Sequence, residues 1–381
     1  MNKPLISIVM SARNCVTYVE DALDSILRQS FKDWELIVID DGSSDGTSKV
    51  IAARGRADKR VRAIYQESRG LVASLNRGLS MSRGRYVARM DADDISTLDR
   101  IEKQVLFMER NPQVAAAGGA VKVINATGDV VGRERFPIAS ADIERILLEG
   151  GCPLCHPTVM MRADIVHTLN GYRSVVRHAE DFDLWLRMAD RFELSNLSAE
   201  ILFYRRHTGQ VSVRRCGDQA LSNLAARAAT VARRSGRPDP LDCIDEITPA
   251  TLKALGLSEP VQRAAVNRAS VVCISSMIEA REYTSAGERI GAMLEDFGSC
   301  SADRTIRSDL LLLSARFHLT QGKLIKAFAN WLRALRTRPI VLLRPLKHVM
   351  SLLGLSVRFD VAVEQLEVGL VRPIIRRLVQ W

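Results

Sequence analysis

Ile37-Val38-Ile39-Asp40-Asp41-Gly42-Ser43-Ser44-Asp45-Gly46-Thr47 is the stretch whose reading decides the fold. Its β-branched opening reads as a fully buried strand, and the acidic, glycine- and serine-rich run that follows ends that strand abruptly. The carboxylates therefore sit at the carboxyl end of a central strand, the edge at which open α/β sheets bind ligands. Tyr86-Val87-Ala88-Arg89-Met90 running into Asp91-Ala92-Asp93-Asp94 repeats the pattern. Two acidic strand ends in one domain predict a shared site.

Working outward, Leu5 to Met10 is a first buried strand, closed by Ser11-Ala12-Arg13-Asn14. Val19, Ala22, Leu23, Ile26 and Leu27 then recur at helical spacing, so strand, helix and the Asp40 strand form one βαβ unit. The spacing predicts a helix from Thr47 to Arg56, capped by Asp45 or Thr47, a strand over Val61–Tyr65, and a helix over Gly70–Met81 with Leu71, Leu75 and Leu79 on one face. Alternating strands and helices of this length argue for a parallel sheet covered on both faces. No G-x-G-x-x-G follows the first strand and no P-loop is present, which removes nicotinamide cofactors and the commonest nucleotide hydrolases.

At 381 residues, 47% hydrophobic and 26% charged, the chain has an ordinary globular composition and room for two domains. Its net charge of +10 is unevenly placed: residues 301–381 hold 14 Lys and Arg against 5 Asp and Glu. A basic tail on a near-neutral body predicts an anionic surface as partner. Nucleic acid is the weaker reading, because aromatic residues are only 5% of the chain and no nucleic-acid module is recognisable. Met1 to Val9 does not read as an export signal and no apolar run reaches membrane-spanning length, so a cytoplasmic protein is expected. Its 7 cysteines are accordingly read as reduced thiols.

Together, Ser7-Ile8-Val9-Met10-Ser11-Ala12-Arg13-Asn14, Ser25-Ile26-Leu27-Arg28-Gln29-Ser30, Asp40-Asp41-Gly42-Ser43 and Arg89-Met90-Asp91-Ala92-Asp93-Asp94 resemble the family 2 glycosyltransferases with the GT-A fold. The match continues through His156-Pro157-Thr158, Glu180-Asp181 and Tyr204-Arg205-Arg206-His207-Thr208-Gly209-Gln210-Val211-Ser212, over about the first 215 residues. The resemblance implies an open, mostly parallel α/β sheet with helices on both faces, followed here by an all-α C-terminal region. It also implies inverting, Mg²⁺- or Mn²⁺-dependent transfer of a sugar from a nucleoside-diphosphate donor, with a UDP-sugar expected, to a glycan hydroxyl. A lipid-linked acceptor at the cytoplasmic face of a membrane, as in polysaccharide assembly, suits such an enzyme.

Carried over residue by residue, Asp93 would ligate the metal, with Asp91 near the ribose or the metal's water shell. Asp41 would hydrogen-bond the base, and Ser11 and Arg13 would border the donor. Arg13 stands where the family usually has a tyrosine; a guanidinium plane can stack on a base as well. Asp181 would be the catalytic base, with Glu180 and His156 on the acceptor side. Arg205, Arg206 and His207 would fold over the diphosphate, His207 as a further ligand or a phosphate partner. A single displacement needs no covalent nucleophile.

Two other classes compete. A nucleotidyltransferase would want a glycine- and lysine-rich loop after the first strand, which Ser11-Ala12-Arg13-Asn14 is not. A catalytically inactive scaffold would not need Asp91, Asp93 and Asp181 intact. Cys152-Pro153-Leu154-Cys155-His156 spells a haem-attachment signature, but without export or a second cysteine pair the cysteines are read as incidental. The expected organisation is a catalytic domain over 1–215, a helix and linker over 216–245, and a helical basic region over 246–381. Within the last, 306–339 resembles a tetratricopeptide-like hairpin. Basic amphipathic segments over 341–355 and 361–381 fit either an anionic membrane surface or a packed helical subdomain.

Overall fold

A computed structural model describes residues 3–207, 209–210, 214–298 and 304–338. The described residues form two compact units that divide between Val266 and Asn267.

The first unit is built on a sheet in the order β3-β2-β1-β4-β8-β6-β9-β5, with β7 paired to β6. Its strands are β1 (Ile6–Ala12), β2 (Trp34–Asp41), β3 (Val61–Gln66), β4 (Tyr86–Asp91), β5 (Ile95–Ser96), β6 (Val114–Ile124), β7 (Val130–Glu134), β8 (Met160–Arg162) and β9 (Glu193–Arg205). Helices α1 (Val19–Leu27), α2 (Thr47–Ala57), α3 (Leu71–Met81), α4 (Arg100–Arg110), α5 (Ser140–Glu149), α6 (Ala163–Thr168), α7 (Glu180–Ala189) and α8 (Cys216–Arg234) cover it. Strands covered by helices on both faces are what the sequence resemblance implies. The parallel character belongs to β1 to β4 and to the β6·β9 pair. Beyond β4 the sheet is mixed, because β8 runs antiparallel between β4 and β6.

Alternation along β1 sends Ile6, Ile8 and Met10 into one core with Leu23 and Ile26 of α1 and Ile101 of α4, and Val9 into the other with Leu75 and Leu79 of α3. Both faces of the strand are thus buried, which is why its sequence is continuously apolar. The second core extends to Trp185 of α7 and to Leu224, Ala225, Ala226 and Ala229 of α8, so the first unit continues past residue 215. At α2 the helix is entered through Gly46 at φ 105°, while Asp45 accepts from the Thr47 backbone N–H at 3.0 Å just outside it. Neither expected cap occupies the cap position itself, because the chain turns through a left-handed residue that only glycine adopts without strain.

The amino-terminal edge of the sheet is tied by charge. Glu35, almost fully buried, accepts from Ser7 Oγ at 2.7 Å, Arg62 Nη1 at 2.8 Å and Arg83 Nη2 at 2.7 Å. Burial acts to raise its pKa, but the hydrogen bonds from Arg83, Ser7 and Arg62 outweigh it and hold the carboxyl below the ordinary range.

Before the division at Val266 lie α9 (Pro249–Ala254) and the start of α10 (Glu259–Glu279). The second unit continues with the remainder of α10 and α11 (Tyr283–Gly298), α12 (Arg304–Thr320) and α13 (Leu324–Thr337). Helices α12 and α13 join at Gly322, φ 67°, and Asn330 Nδ2 donates to Ser314 Oγ at 2.9 Å between them. The amphipathic segments expected over 341–355 and 361–381 lie outside the described residues.

Replacing Glu35 by alanine removes the acceptor shared by β1, β3 and the turn before β4. The loss should be about 2 kcal/mol near neutral pH, measured by urea unfolding. Because the folded pKa is depressed, that difference between wild type and Glu35→Ala should shrink as pH falls through the ordinary carboxylate range.

Candidate active site

The loops after β1, β2 and β4 meet at one edge of the sheet, and hydrogen bonds between loops fix their shape. Asn14, at φ 47°, donates its backbone N–H to Ser43 Oγ at 3.1 Å and accepts from the Ser44 N–H at 2.8 Å. Cys15 N donates to Thr47 Oγ1 at 2.9 Å and Val16 N to Asp45 Oδ2 at 3.0 Å. The loop carrying Arg13, which follows Ser11 at the end of β1, is thereby stitched to the Asp40-Asp41-Gly42-Ser43 turn; Arg13 itself is exposed.

Asp41 is buried and accepts from Gln66 Nε2 at 2.8 Å, Arg69 N at 2.8 Å and Gly70 N at 2.9 Å. Burial would raise its pKa; those donors more than offset it and keep the carboxylate charged. Its oxygens therefore hold the 66–70 loop against the turn. Gly42 makes that approach feasible: at φ 74° a Cβ would stand 2.9 Å from the Ser68 backbone nitrogen.

Alternation along β4 puts Arg89 and Asp91 on one face, and the Arg89 guanidinium forms an ion pair with the Asp91 carboxylate. Arg89 is buried, and its charge also acts on Asp94, His156, Tyr172, Glu180 and Asp181. Burial opposes the Arg89 charge, but Asp91 more than restores it and its pKa is raised. Asp91, Asp93 and Asp94 can bring one carboxylate oxygen each within 4.8 Å of one another. Asp93 Oδ2 lies 3.0 Å from His207 Nε2. Asp94 is fully buried: Oδ1 accepts from the Arg205 N–H at 2.7 Å, while Oδ2 has no partner among the described residues. Burial, then the charges of Asp93 and Asp91, push the Asp94 carboxyl well above the ordinary range. An all-oxygen cluster with a buried, unpartnered oxygen fits a hard divalent cation such as Mg²⁺ or Mn²⁺.

Arg205 is occupied by the protein. Its Nε donates to the Asp93 carbonyl at 2.8 Å, Nη1 donates to the carbonyls of Asn125 and Ala126, and the guanidinium lies 4.6 Å from the Tyr18 ring centroid. Tyr18 is also 5.1 Å from the His207 ring. Arg206 pairs instead with Glu134.

On the other side, His156 Nε2 is 2.8 Å from Tyr172 Oη, and its ring meets Tyr172 and Trp185 edge-on. Its Nδ1 is 4.0 Å from Asp181 Oδ2, beyond hydrogen-bond length. Burial, with the nearby Arg89 charge, holds the imidazole well below its usual pKa, so it is neutral. Glu180 and Asp181 open α7. Burial raises both carboxyls, and the Asp181 charge adds to the effect on Glu180, which rises to about 7. Among the described residues Arg89 Nε, Glu180 Oε2 and Trp185 Nε1 are buried without a hydrogen-bond partner.

The structure therefore gathers Asp91, Asp93, Asp94 and His207 in one cluster and His156, Glu180 and Asp181 in a second, with Arg89 acting on both. Asp41 and Arg205 sit behind the loops they hold. Sequence reasoning did not assign roles to Asp94, Arg89, Tyr18 or Tyr172. The first two stand inside the quoted Arg89-to-Asp94 run; nothing local marks the tyrosines.

The profile described as "Glycosyl transferase family 2" matches residues 7–169. The putative glycosyltransferase EpsE of Bacillus subtilis is 38% identical over 225 residues, which are 58% of this chain and 79% of that protein. The chain belongs to glycosyltransferase family 2. The O-antigen biosynthesis glycosyltransferase WbnJ of Escherichia coli is 32% identical over 207 residues, 53% of this chain and 80% of that one. A solved structure of S. aureus TarS 1–349 with UDP-GlcNAc aligns with 86% of this chain and 90% of that one, at 14% identity and a TM-score of 0.48, too remote a likeness to add to the assignment. Among the described residues, no helix of this glycosyltransferase is long and apolar enough to cross a membrane.

The raised Glu180 pKa makes the site costly to the fold. Between the ordinary glutamate pKa and about 7 the folded chain keeps a proton that the unfolded chain has released, so stability falls as pH rises through that window. Glu180→Gln should stabilise the protein at pH 8 by up to about 3 kcal/mol, and the gain should vanish near pH 4. Urea unfolding of both proteins at the two pH values measures it.

Proposed function

We propose that the chain is an inverting, metal-dependent glycosyltransferase that moves a sugar from a nucleoside-diphosphate donor, a UDP-sugar as the first choice, to a glycan hydroxyl. Polysaccharide biosynthesis is the setting, with a lipid-linked acceptor. The observation that carries this reading is the buried Arg89, whose charge acts on both the Asp91-Asp93-Asp94 cluster and the Glu180-Asp181 pair. An acidic metal-type site and a candidate base thus flank one charge at the ligand-binding edge of the sheet. The transferase chemistry would reside in residues 1–215.

Asp91, Asp93 and Asp94, with His207 beside Asp93, are the groups that would hold Mg²⁺ or Mn²⁺, which when bound offsets the charge left on the diphosphate as the sugar departs. Ser11, Arg13 and the loop held by Asp41 border the nucleotide side. Arg205 keeps the acidic loop and Tyr18 in place. His207, which stands between the Tyr18 ring and Asp93, closes the diphosphate side. Asp181 takes the proton from the acceptor hydroxyl as its oxygen attacks the anomeric carbon. Burial raises the pKa of that carboxylate, which makes it a stronger proton acceptor. Neutral His156, held by Tyr172, limits where the Asp181 carboxylate can turn. Glu180 lies on the acceptor side, where its unpartnered oxygen can meet a sugar hydroxyl.

Asp181→Asn should lower transfer at least about a thousandfold while leaving donor affinity within about twofold, read as kcat and as a calorimetric Kd. Near-normal turnover in that variant would remove Asp181 as the base.

Calorimetric titration with UDP, GDP, dTDP and their sugar conjugates, with and without Mg²⁺ or Mn²⁺, tests the donor side. One nucleotide series should bind in a metal-dependent way, and Asp93→Ala should weaken it at least about tenfold. Failure to bind any of them would favour a non-catalytic scaffold.

A further inference from the structure

Helix α13 carries three faces in the second unit. Ala327, Asn330 and Ala334 are buried on one side, where Ser314 and Ser308 of α12 are hydrogen-bonded to the helix, and Leu335 is buried at its last turn. Leu324, Ile325, Phe328 and Leu332 project elsewhere and are 67%, 87%, 59% and 36% exposed. At 3.6 residues per turn these four span an arc of about 100°, an open apolar stripe over Leu324–Leu332 that ends where Leu335, on the same arc, is buried. Leu319, 56% exposed, precedes them at the end of α12. Next to the stripe on the same wheel stand Arg336, Arg333 and Lys326, all exposed.

An apolar stripe this open needs a partner, and the charge pattern says of what kind. From Leu310 to Phe359 the chain has nine Lys and Arg and not one Asp or Glu. Over the described part of that run, Leu310 to Arg338, six Lys and Arg stand without a negative charge, which disfavours a basic protein surface and attracts an anionic one. Exposed Leu, Ile and Phe beside Arg and Lys on a single helix match what an interfacial helix buries at the boundary between headgroups and acyl chains. We propose that α13 docks on an anionic lipid bilayer, with Leu324, Ile325, Phe328 and Leu332 inserted and Lys326, Arg333 and Arg336 at the headgroups. The contact is carried by a folded hairpin, and it does not depend on the identity of the sugar donor.

The test is co-sedimentation of the full chain with phosphatidylcholine vesicles, with and without a third of phosphatidylglycerol. Binding should require phosphatidylglycerol and weaken as salt rises. The double variant Ile325→Asp/Phe328→Asp, altered only at exposed positions, should lose at least about tenfold in partition coefficient. Lys326→Glu/Arg333→Glu/Arg336→Glu should lose about fivefold or more per charge. Circular dichroism and nucleotide calorimetry on the same preparations should be unchanged, which separates this proposal from the donor-site reading. No vesicle binding by the wild type, or unchanged partition in both variants, overturns the proposal. So does a wild-type dimer that the apolar variant splits while vesicle binding persists, because the stripe then meets a second copy.

Discussion

One buried positive charge organises the site. Arg89 projects from the middle of the sheet where water does not reach it, and a guanidinium so placed is tolerable only if negative groups surround it. Asp91 pairs with it directly, and Asp94, Glu180 and Asp181 feel its field. The four carboxyls are in turn crowded enough that burial raises the pKa of each. The arrangement is a balance of charges held in low dielectric, and a shift of any one is felt by the rest.

Other polar contacts keep that balance in position. Asp41 spends its oxygens on the 66–70 loop, Asp45 and Asn14 tie the first loop to the second, and Arg205 locks the acidic loop from behind. Each of these would look like a ligand-facing group if only its position at the carboxyl edge were known. The geometry gives them the task of holding backbone in place. The Oε2 of Glu180 and Oδ2 of Asp94 are the counterpart: buried polar atoms without a partner among the described residues.

The second unit solves a different problem. Its helices bury Ile306, Leu310, Leu311 and Leu335, yet leave Ile325 and Phe328 in the open. Exposed apolar groups in a row on one helix are a feature that the packing of the hairpin itself does not use.

Much of this was legible in the sequence. Buried apolar runs fix β1, β2 and β4, and the acidic ends of β2 and β4 mark one edge of the sheet, because strand period and burial are local consequences of side-chain type. The order of the motifs identified the family. What local pattern does not encode is which residues separated by a hundred positions come together. Val114-Ala115-Ala116-Ala117-Gly118-Gly119 is a poor strand by propensity, yet it lies in β6, where Gly118 and Gly119 leave room for Asn196 and Ile201 of β9. Tyr172 reaches His156, and Tyr18 reaches Arg205 and His207, only through the fold. Sequence settled β1 to β4 and the family, since these follow from side-chain type, spacing and the order of the motifs. The tertiary structure alone decided which carboxylates brace loops and which remain free, since that depends on which donors the packing brings within hydrogen-bonding distance.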